Sequence, residues 1–424
     1  MDCVKEVLSN GLRVLTIPMS AVESATVAVW VRTGSRFEAK RVNGISHFLE
    51  HMVFKGGKRY GSAKILAETV DSLGAENNAS TDKEITNYWI KARVGVIEKC
   101  FDILSDVVLT TLLKPADIER EKGVIAEEIA MYEDLPMRDV ANVFESLIFA
   151  GEPLGMDVIG TKETVKSVKR DDFVSYKREN YYPENMLITV AGGVDVGTIS
   201  RLAEKYFGEI PKRGKKPGKP NASFDQKKPQ VRLKTKKTDQ AHLIMGFRGA
   251  PRGHQARYTE AILTTILGGG MSSRIWTEVR EKRGLAYAVK TGTTNFMDNG
   301  YVETYAGVPL AKVEEAIKVI LEEHRKVASI KYQVSSKELK KAKEYLKGHL
   351  ALSLEDTSDV NAFFGLEELL LEKTRTPEEV FAKIDKVTTD EVTALAKKFF
   401  VPKGLNLAVI GPYKSSAQFE KLLN

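Results

Sequence analysis

The second half of this chain repeats the first. Asp171, Pro183 and Ile188 have counterparts in Asp390, Pro402 and Leu407, each 219 positions later. Earlier, TVAVWVRTG matches HLIMGFRGA, and the helical stretch containing Glu68 falls opposite the one containing Glu278. A chain of 424 residues is too long for one ordinary core. A repeat of about 210 residues implies two copies of one topology. Each copy mixes β-rich runs with helical runs, which makes the class α+β. In the first copy, VKEVLSNGLRVLTIPM predicts two short strands around an Asn-Gly turn, and ATVAVWVRTGS continues as a largely buried strand. SAKILAETVDSLG predicts an amphipathic helix, and AENNASTDKEITNYWIKARV returns to strand character through its Thr, Tyr, Trp and Ile. Helices follow near 95–113, 116–133 and 170–181, and NMLITVAGG closes the copy as a strand.

The formal net charge of +7 is local, because residues 212–237 hold eleven Lys/Arg against one Asp. A nucleic-acid surface interleaves its charges with aromatics or sets them on a helix face. This stretch contains Pro, Gly and a single aromatic, Phe224, and reads as a solvated linker. The expected division is therefore a domain at 1–211, a linker at 212–230 and a homologous domain at 231–424. No run approaches 18 consecutive apolar residues, so no transmembrane helix is expected. The opening MDCVKEVLSNGLRVL lacks the cationic and apolar regions of an export signal. Two cysteines, Cys3 and Cys100, are too few for a disulfide framework. The expectation is a cytoplasmic protein with neither membrane nor nucleic acid as a partner.

The chemistry concentrates in GISHFLEHMVFKGG. On a helix, residues four apart differ by about 40° around the axis, so His47 and His51 share a face one turn apart. Two imidazoles at that spacing can ligate one metal ion, and Zn²⁺ suits a mixed nitrogen and oxygen ligand set. Glu50 projects from nearly the same face, close enough to polarise a metal-bound water. This H-x-x-E-H order is the inverzincin signature. The second half contains no H-x-x-E-H.

Two histidines need at least one more protein ligand. The helix ADIEREKGVIAEEIAMYED has an apolar stripe of Ile118, Ile125, Ile129 and Tyr132. Glu121 and Glu128 fall within that stripe, whereas Glu127 lies about 100° away on the expected solvent side. A carboxylate on an inward stripe is costly unless paired or metal-bound. Glu128 is therefore the expected third ligand, and Glu121 a carboxylate that orients a ligating His. The alternative is a surface helix whose glutamates pair with lysines.

These motifs resemble the pitrilysin family of zinc peptidases, the M16 peptidases, along essentially the whole chain, and most closely its short members of about 50 kDa. In that family a glutamate ligand follows H-x-x-E-H after roughly 70–80 residues, with another glutamate two helical turns before it. His51, Glu128 and Glu121 match that pattern. GGGMSSRIWTEVREKRGLAY resembles the second-half motif whose Arg and Tyr reach the substrate, which maps onto Arg280 and Tyr287. NNASTDKEITNY looks like the edge strand to which a peptide adds, with Asn78 and Ala79 at the positions that hold substrate backbone. The resemblance implies two homologous domains, each a mostly antiparallel β-sheet with helices packed on one face, together forming half of a clamshell.

The resemblance further implies a metalloendopeptidase with one Zn²⁺ per chain, held by His47, His51 and Glu128, with Glu50 as general base. Its substrate is a peptide or unfolded polypeptide, and its assembly a homodimer that closes the clamshell. The rival expectation is a non-catalytic structural or peptide-binding subunit of the same fold. Such subunits tend to lose motif residues, and this chain keeps all of them.

Overall fold

The structure, a computed structural model, describes residues 1–214, 218 and 225–423. Much of the linker expected at 212–230 therefore lies outside the described residues. Two compact units form. The first comprises Met1–Ala130, Met156–Gly218 and Ala351–Pro377, and the second Met131–Gly155, Lys219–Leu350 and Glu378–Asn424.

The first unit is built on a six-stranded sheet of β1 (Val4–Val7), β2 (Arg13–Pro18), β3 (Ser24–Val31), β4 (Glu76–Thr81), β5 (Thr86–Arg93) and β6 (Met186–Gly192), in the order β1-β2-β6-β3-β5-β4. The second is built on β7 (Gln230–Thr235), β8 (Gln240–Arg248), β9 (Ala288–Asn295), β10 (Gly300–Pro309) and β11 (Asn406–Gly411), in the order β7-β11-β8-β10-β9. Apart from β1, the two orders are the same. Each sheet is antiparallel except for one parallel pair, β2 with β6 and β7 with β11. The register reproduces the sequence repeat. Ile188 pairs with Val29, and their counterparts Leu407 and Met245 pair with each other.

Strand β3 is buried on both faces, because the alternating side chains of SATVAVWV are nearly all apolar. The helices Ile97–Leu109 and Val196–Phe207 pack on the first sheet. The face carrying Ala28 and Trp30 is covered by Thr357–Leu371, whose Val360, Phe364 and Leu369 complete one apolar cluster. Thr26 Oγ1 meets Thr357 Oγ1 at 2.8 Å, and Trp30 Nε1 donates to Asn361 Oδ1 at 3.3 Å. In the second unit the helix Pro136–Ile148 does the same job, packing Val140, Phe144 and Ile148 against Ile244, Ala408 and Ile410.

The units are thus not contiguous in sequence, whereas the sequence divides the chain at a single linker. Residues 131–155 fold with the second unit and 351–377 with the first. The physical reason is that each sheet has a second apolar face, and each half of the chain contributes the helix that covers the other half's. Size is matched at the contact. A Cβ on Gly365 would lie 2.9 Å from the Trp30 indole, and a Cβ on Gly246 would lie 2.5 Å from Phe144 Cζ. Positions 30 and 246 are repeat counterparts, so one unit sets a large strand residue against a small helix residue and the other reverses them. No helix among the described residues is long and apolar enough to cross a membrane.

Candidate metal centre

ISHFLEHMV forms the helix Ile45–Val53. Its apolar positions Ile45, Phe48, Leu49, Met52 and Val53 are buried. His47, Glu50 and His51 are left on the partly accessible side. Glu38, itself 7% exposed, holds the start of the helix. One carboxylate oxygen accepts from the Gly44 amide at 2.7 Å and Asn43 Nδ2 at 2.9 Å. The other accepts from the Ser46 amide at 2.8 Å and Ser46 Oγ at 2.6 Å. Burial pushes the Glu38 carboxyl up, and these donors pull it back. A carboxylate here satisfies orphan amides and complements the positive end of the helix dipole. Gly44 has φ +95°, and a Cβ there would lie 2.5 Å from the Ile159 carbonyl, so only glycine fits.

The helix Pro115–Glu133 brings the carboxylates. Ile118, Glu121, Ile125 and Ile129 are buried along it, while Glu127 is exposed. One donor atom from each of His47, His51 and Glu128 lies within 4.8 Å of the other two. His47 Nε2 is 3.7 Å from Glu128 Oε1, and His51 Nε2 is 3.4 Å from Glu128 Oε2. Behind them, His51 Nδ1 meets Glu121 Oε1 at 2.9 Å, and the second Glu121 oxygen pairs with Lys55 Nζ at 2.6 Å. Glu121 thus keeps the His51 proton on Nδ1 and turns Nε2 toward Glu128.

The electrostatics suit a metal. Burial, with the neighbouring charge of His51, pulls His47 down to about 4 against the opposing pull of Glu128, so its imidazole is neutral at neutral pH. Burial also presses His51 downward, but its hydrogen bonds and charge interactions with Glu128 and Glu121 outweigh that and raise it. Buried His47 Nδ1 has no hydrogen-bond partner among the described residues. Two imidazole nitrogens and one carboxylate, partly exposed, match a zinc site with three protein ligands and an open fourth position.

Glu50 is held from the sheet. Thr81, at the end of β4, donates its hydroxyl to Glu50 Oε2 at 2.6 Å. Burial raises the Glu50 carboxyl above its ordinary range, and the Thr81 bond acts against that. Strand β4 pairs with β5 alone and is an edge of the sheet. Asn78 and Ala79 lie on it, Asn78 exposed and Ala79 buried, and the Ala79 amide donates to Asn78 Oδ1 at 2.8 Å.

Arg280 and Tyr287 belong to the second unit. A π-helical turn over Trp276–Glu281 carries Arg280. Its guanidinium stacks 4.3 Å from the Trp276 ring and 4.9 Å from the Tyr287 ring. Tyr287 is 79% exposed. The first unit therefore gathers His47, Glu50, His51, Glu121 and Glu128 around one point, with Asn78 and Ala79 on the adjoining edge. The sequence reading missed Glu38, Lys55, Thr81 and Trp276. Lys55 lies one helical turn past His51 and could have been found by spacing; the others depend on tertiary register or on a π-turn.

A family profile described as insulinase (peptidase family M16) matches residues 13–162, and one described as peptidase M16 inactive domain matches residues 167–346. An uncharacterized zinc protease of Bacillus subtilis is 36% identical, over 95% of this chain and 97% of its own length. One of Mycobacterium leprae is also 36% identical, over 98% of this chain and 93% of its own. The crystal structure of a protease from Helicobacter pylori shares the fold, with a TM-score of 0.90 at 23% identity over 97% of this chain and 100% of that one.

Proposed function

The chain belongs to peptidase family M16, and on that footing we propose that it is a zinc-dependent metalloendopeptidase acting on peptides or unfolded polypeptides. The observation that carries the proposal is the convergence of His47, His51 and Glu128 within 4.8 Å, beside the half-buried carboxylate of Glu50. The three converging residues would hold one Zn²⁺ per chain. Zinc held there would supply a water acidic enough to attack at neutral pH and a Lewis acid for the scissile carbonyl. Glu50 takes the proton from the attacking water and later delivers it to the leaving amine. A substrate strand adds to the open edge of β4 beside Asn78 and Ala79, where main-chain pairing accepts many sequences. Arg280 and Tyr287 hydrogen-bond the developing oxyanion. A homodimer, in which a second copy supplies them, completes the clamshell in the cytoplasm.

The profile described as an inactive domain covers the half that lacks H-x-x-E-H, so it does not favour a non-catalytic reading. The test is hydrolysis of a quenched fluorescent peptide of about 15 residues. Chelator should abolish cleavage, zinc should restore it, and Glu50→Gln should remove it while zinc still binds. Stoichiometric zinc with no cleavage across a varied peptide library would overturn the proposal. Activity that persists per chain at a dilution where the protein is monomeric would overturn the dimer.

A further inference from the structure

We infer that Thr81 is a positioning residue that ties the general base Glu50 to the strand on which substrate is laid, an inference that rests on the peptidase reading above. Among the described residues, the Thr81 hydroxyl is the one hydrogen-bond partner of the Glu50 carboxylate, at 2.6 Å on Oε2. Thr81 itself is well anchored. It is the last residue of β4, paired with Thr86, and the turn that follows is fixed to the segment leading into the metal helix. The Ser35 amide donates to the Asp82 carbonyl and the Arg36 amide to the Lys83 carbonyl. Arg36 and Glu84 form a buried ion pair at 2.5 Å, and Lys83 Nζ donates to the Met156 carbonyl at 2.6 Å. The same segment supplies Glu38 to the start of the helix. Strand end and helix start are therefore set by one bracket, and Thr81 meets Glu50 at a fixed reach.

The repeat shows what this contact is for. Val29 pairs with Tyr88 and Tyr88 with Ala79, as Met245 pairs with Thr304 and Thr304 with Thr291. Two residues further along each edge strand stand Thr81 and Thr293. Thr293 donates its hydroxyl to Glu260 on the helix Ala256–Gly268, which packs on β9 as Ile45–Val53 packs on β4. Glu260 follows Glu50 by the same offset that separates Glu68 from Glu278, and Arg257 and Ala261 stand where His47 and His51 would.

Each unit thus has a threonine–glutamate clasp between edge strand and helix, differently closed. Glu260 is 0% exposed and also accepts from the Ala250 amide at 2.6 Å and Asn295 Nδ2 at 2.9 Å. Those bonds make it a structural tie. Glu50 keeps the threonine and has neither of the other donors. A base must be aimed, yet must retain an oxygen to receive a proton, and one donor meets both needs.

The test compares wild type, Thr81→Val, Thr81→Ser and Glu50→Gln in the full chain, loaded with zinc, on the quenched peptide. Thr81→Val should lower kcat by about 10- to 100-fold, with KM within about twofold and zinc stoichiometry unchanged. Thr81→Ser should stay within about threefold of wild type. Crystal structures of the metal-free wild type and Thr81→Val should show Glu50 hydrogen-bonded to residue 81 in the first and displaced in the second. The inference is overturned if Thr81→Val leaves kcat intact, acts on KM alone or loses zinc. It is also overturned if Thr81→Ser fails equally, or if Glu50 keeps its place in Thr81→Val. A wild type that cleaves nothing sinks the peptidase reading and with it a catalytic role for Thr81. Displacement of Glu50 in the crystals would then mark the clasp as structural only.

Discussion

Replacing Glu121 by Gln should weaken zinc binding although the residue is not among the three that would hold the metal. Its side chain is 5% exposed, with one oxygen 2.9 Å from His51 Nδ1 and the other 2.6 Å from Lys55 Nζ. Gln keeps the shape and can still accept from Nδ1, but the charge that strengthens that bond and makes Nε2 a better donor is gone. Loss of such a partner lowers metal affinity by about 10- to 100-fold, equivalent to about 1.4–2.8 kcal/mol. The metal-free fold should suffer less. Lys55 remains 29% exposed, so water replaces much of the lost pairing and stability falls by about 1 kcal/mol or less. The assay is competition for zinc with a chromophoric chelator at fixed pH, alongside urea unfolding of the metal-free protein. Glu128→Gln, which alters a donor itself, serves as the severe control. An affinity for zinc within twofold of wild type would refute the orienting role. So would a loss of affinity that merely tracks unfolding.

Glu84→Gln removes the charge that meets Arg36 at 2.5 Å, where both side chains are about 5% exposed or less, and should cost about 1.5–3 kcal/mol of unfolding free energy. A loss below 1 kcal/mol in urea melts would show that water reaches the pair. Glu303→Gln should change the pH dependence of stability. Burial, with Glu145 adding, pushes the Glu303 carboxyl up to about 7 against the pull of Lys290. Its folded pKa is thus above the unfolded value, so the native state holds a proton the unfolded chain has lost. The wild type therefore loses stability as pH rises from about 4.5 to 7. The variant should match wild type near pH 4 and exceed it by up to about 3 kcal/mol at pH 8. A difference that does not vary with pH would contradict that environment.

What the sequence disclosed about the site is what a single helix can encode. Spacing alone put His47, Glu50 and His51 on one face, and the isoleucine stripe of Pro115–Glu133 set Glu121 and Glu128 apart from Glu127; along that helix Glu121 is buried, Glu128 half-buried and Glu127 exposed. Thr81 was illegible for the opposite reason. Nothing in NNASTDKEITNY distinguishes it from its neighbours until the β4–β5 register turns it toward Glu50. The same holds for the helices Pro136–Ile148 and Thr357–Leu371. An amphipathic pattern states that a face must be covered, not which sheet covers it. The repeat of the strand order could be inferred; the exchange of two helices could not.

The repeat also explains how a fold can spare a polar helix face. In the second unit the helix Ala256–Gly268 spends itself on the core, burying Ile262, Leu263, Ile266 and Leu267. In the first unit the corresponding helix is shorter, nine residues against thirteen, and its partly accessible side is made of His47, Glu50 and His51. A helix of nine residues is poorly held by its own propensity. The bonds that Glu38 makes at its start, Glu121 on His51 and Thr81 on Glu50 supply fixed polar contacts instead. Those contacts fall on the residues that must not move if Glu50 is to pass a proton over a distance of about 3 Å. On the peptidase reading, polar anchoring here both secures the helix and aims the chemistry, so losses at Glu121 or Thr81 should appear in zinc affinity or kcat before they appear in stability.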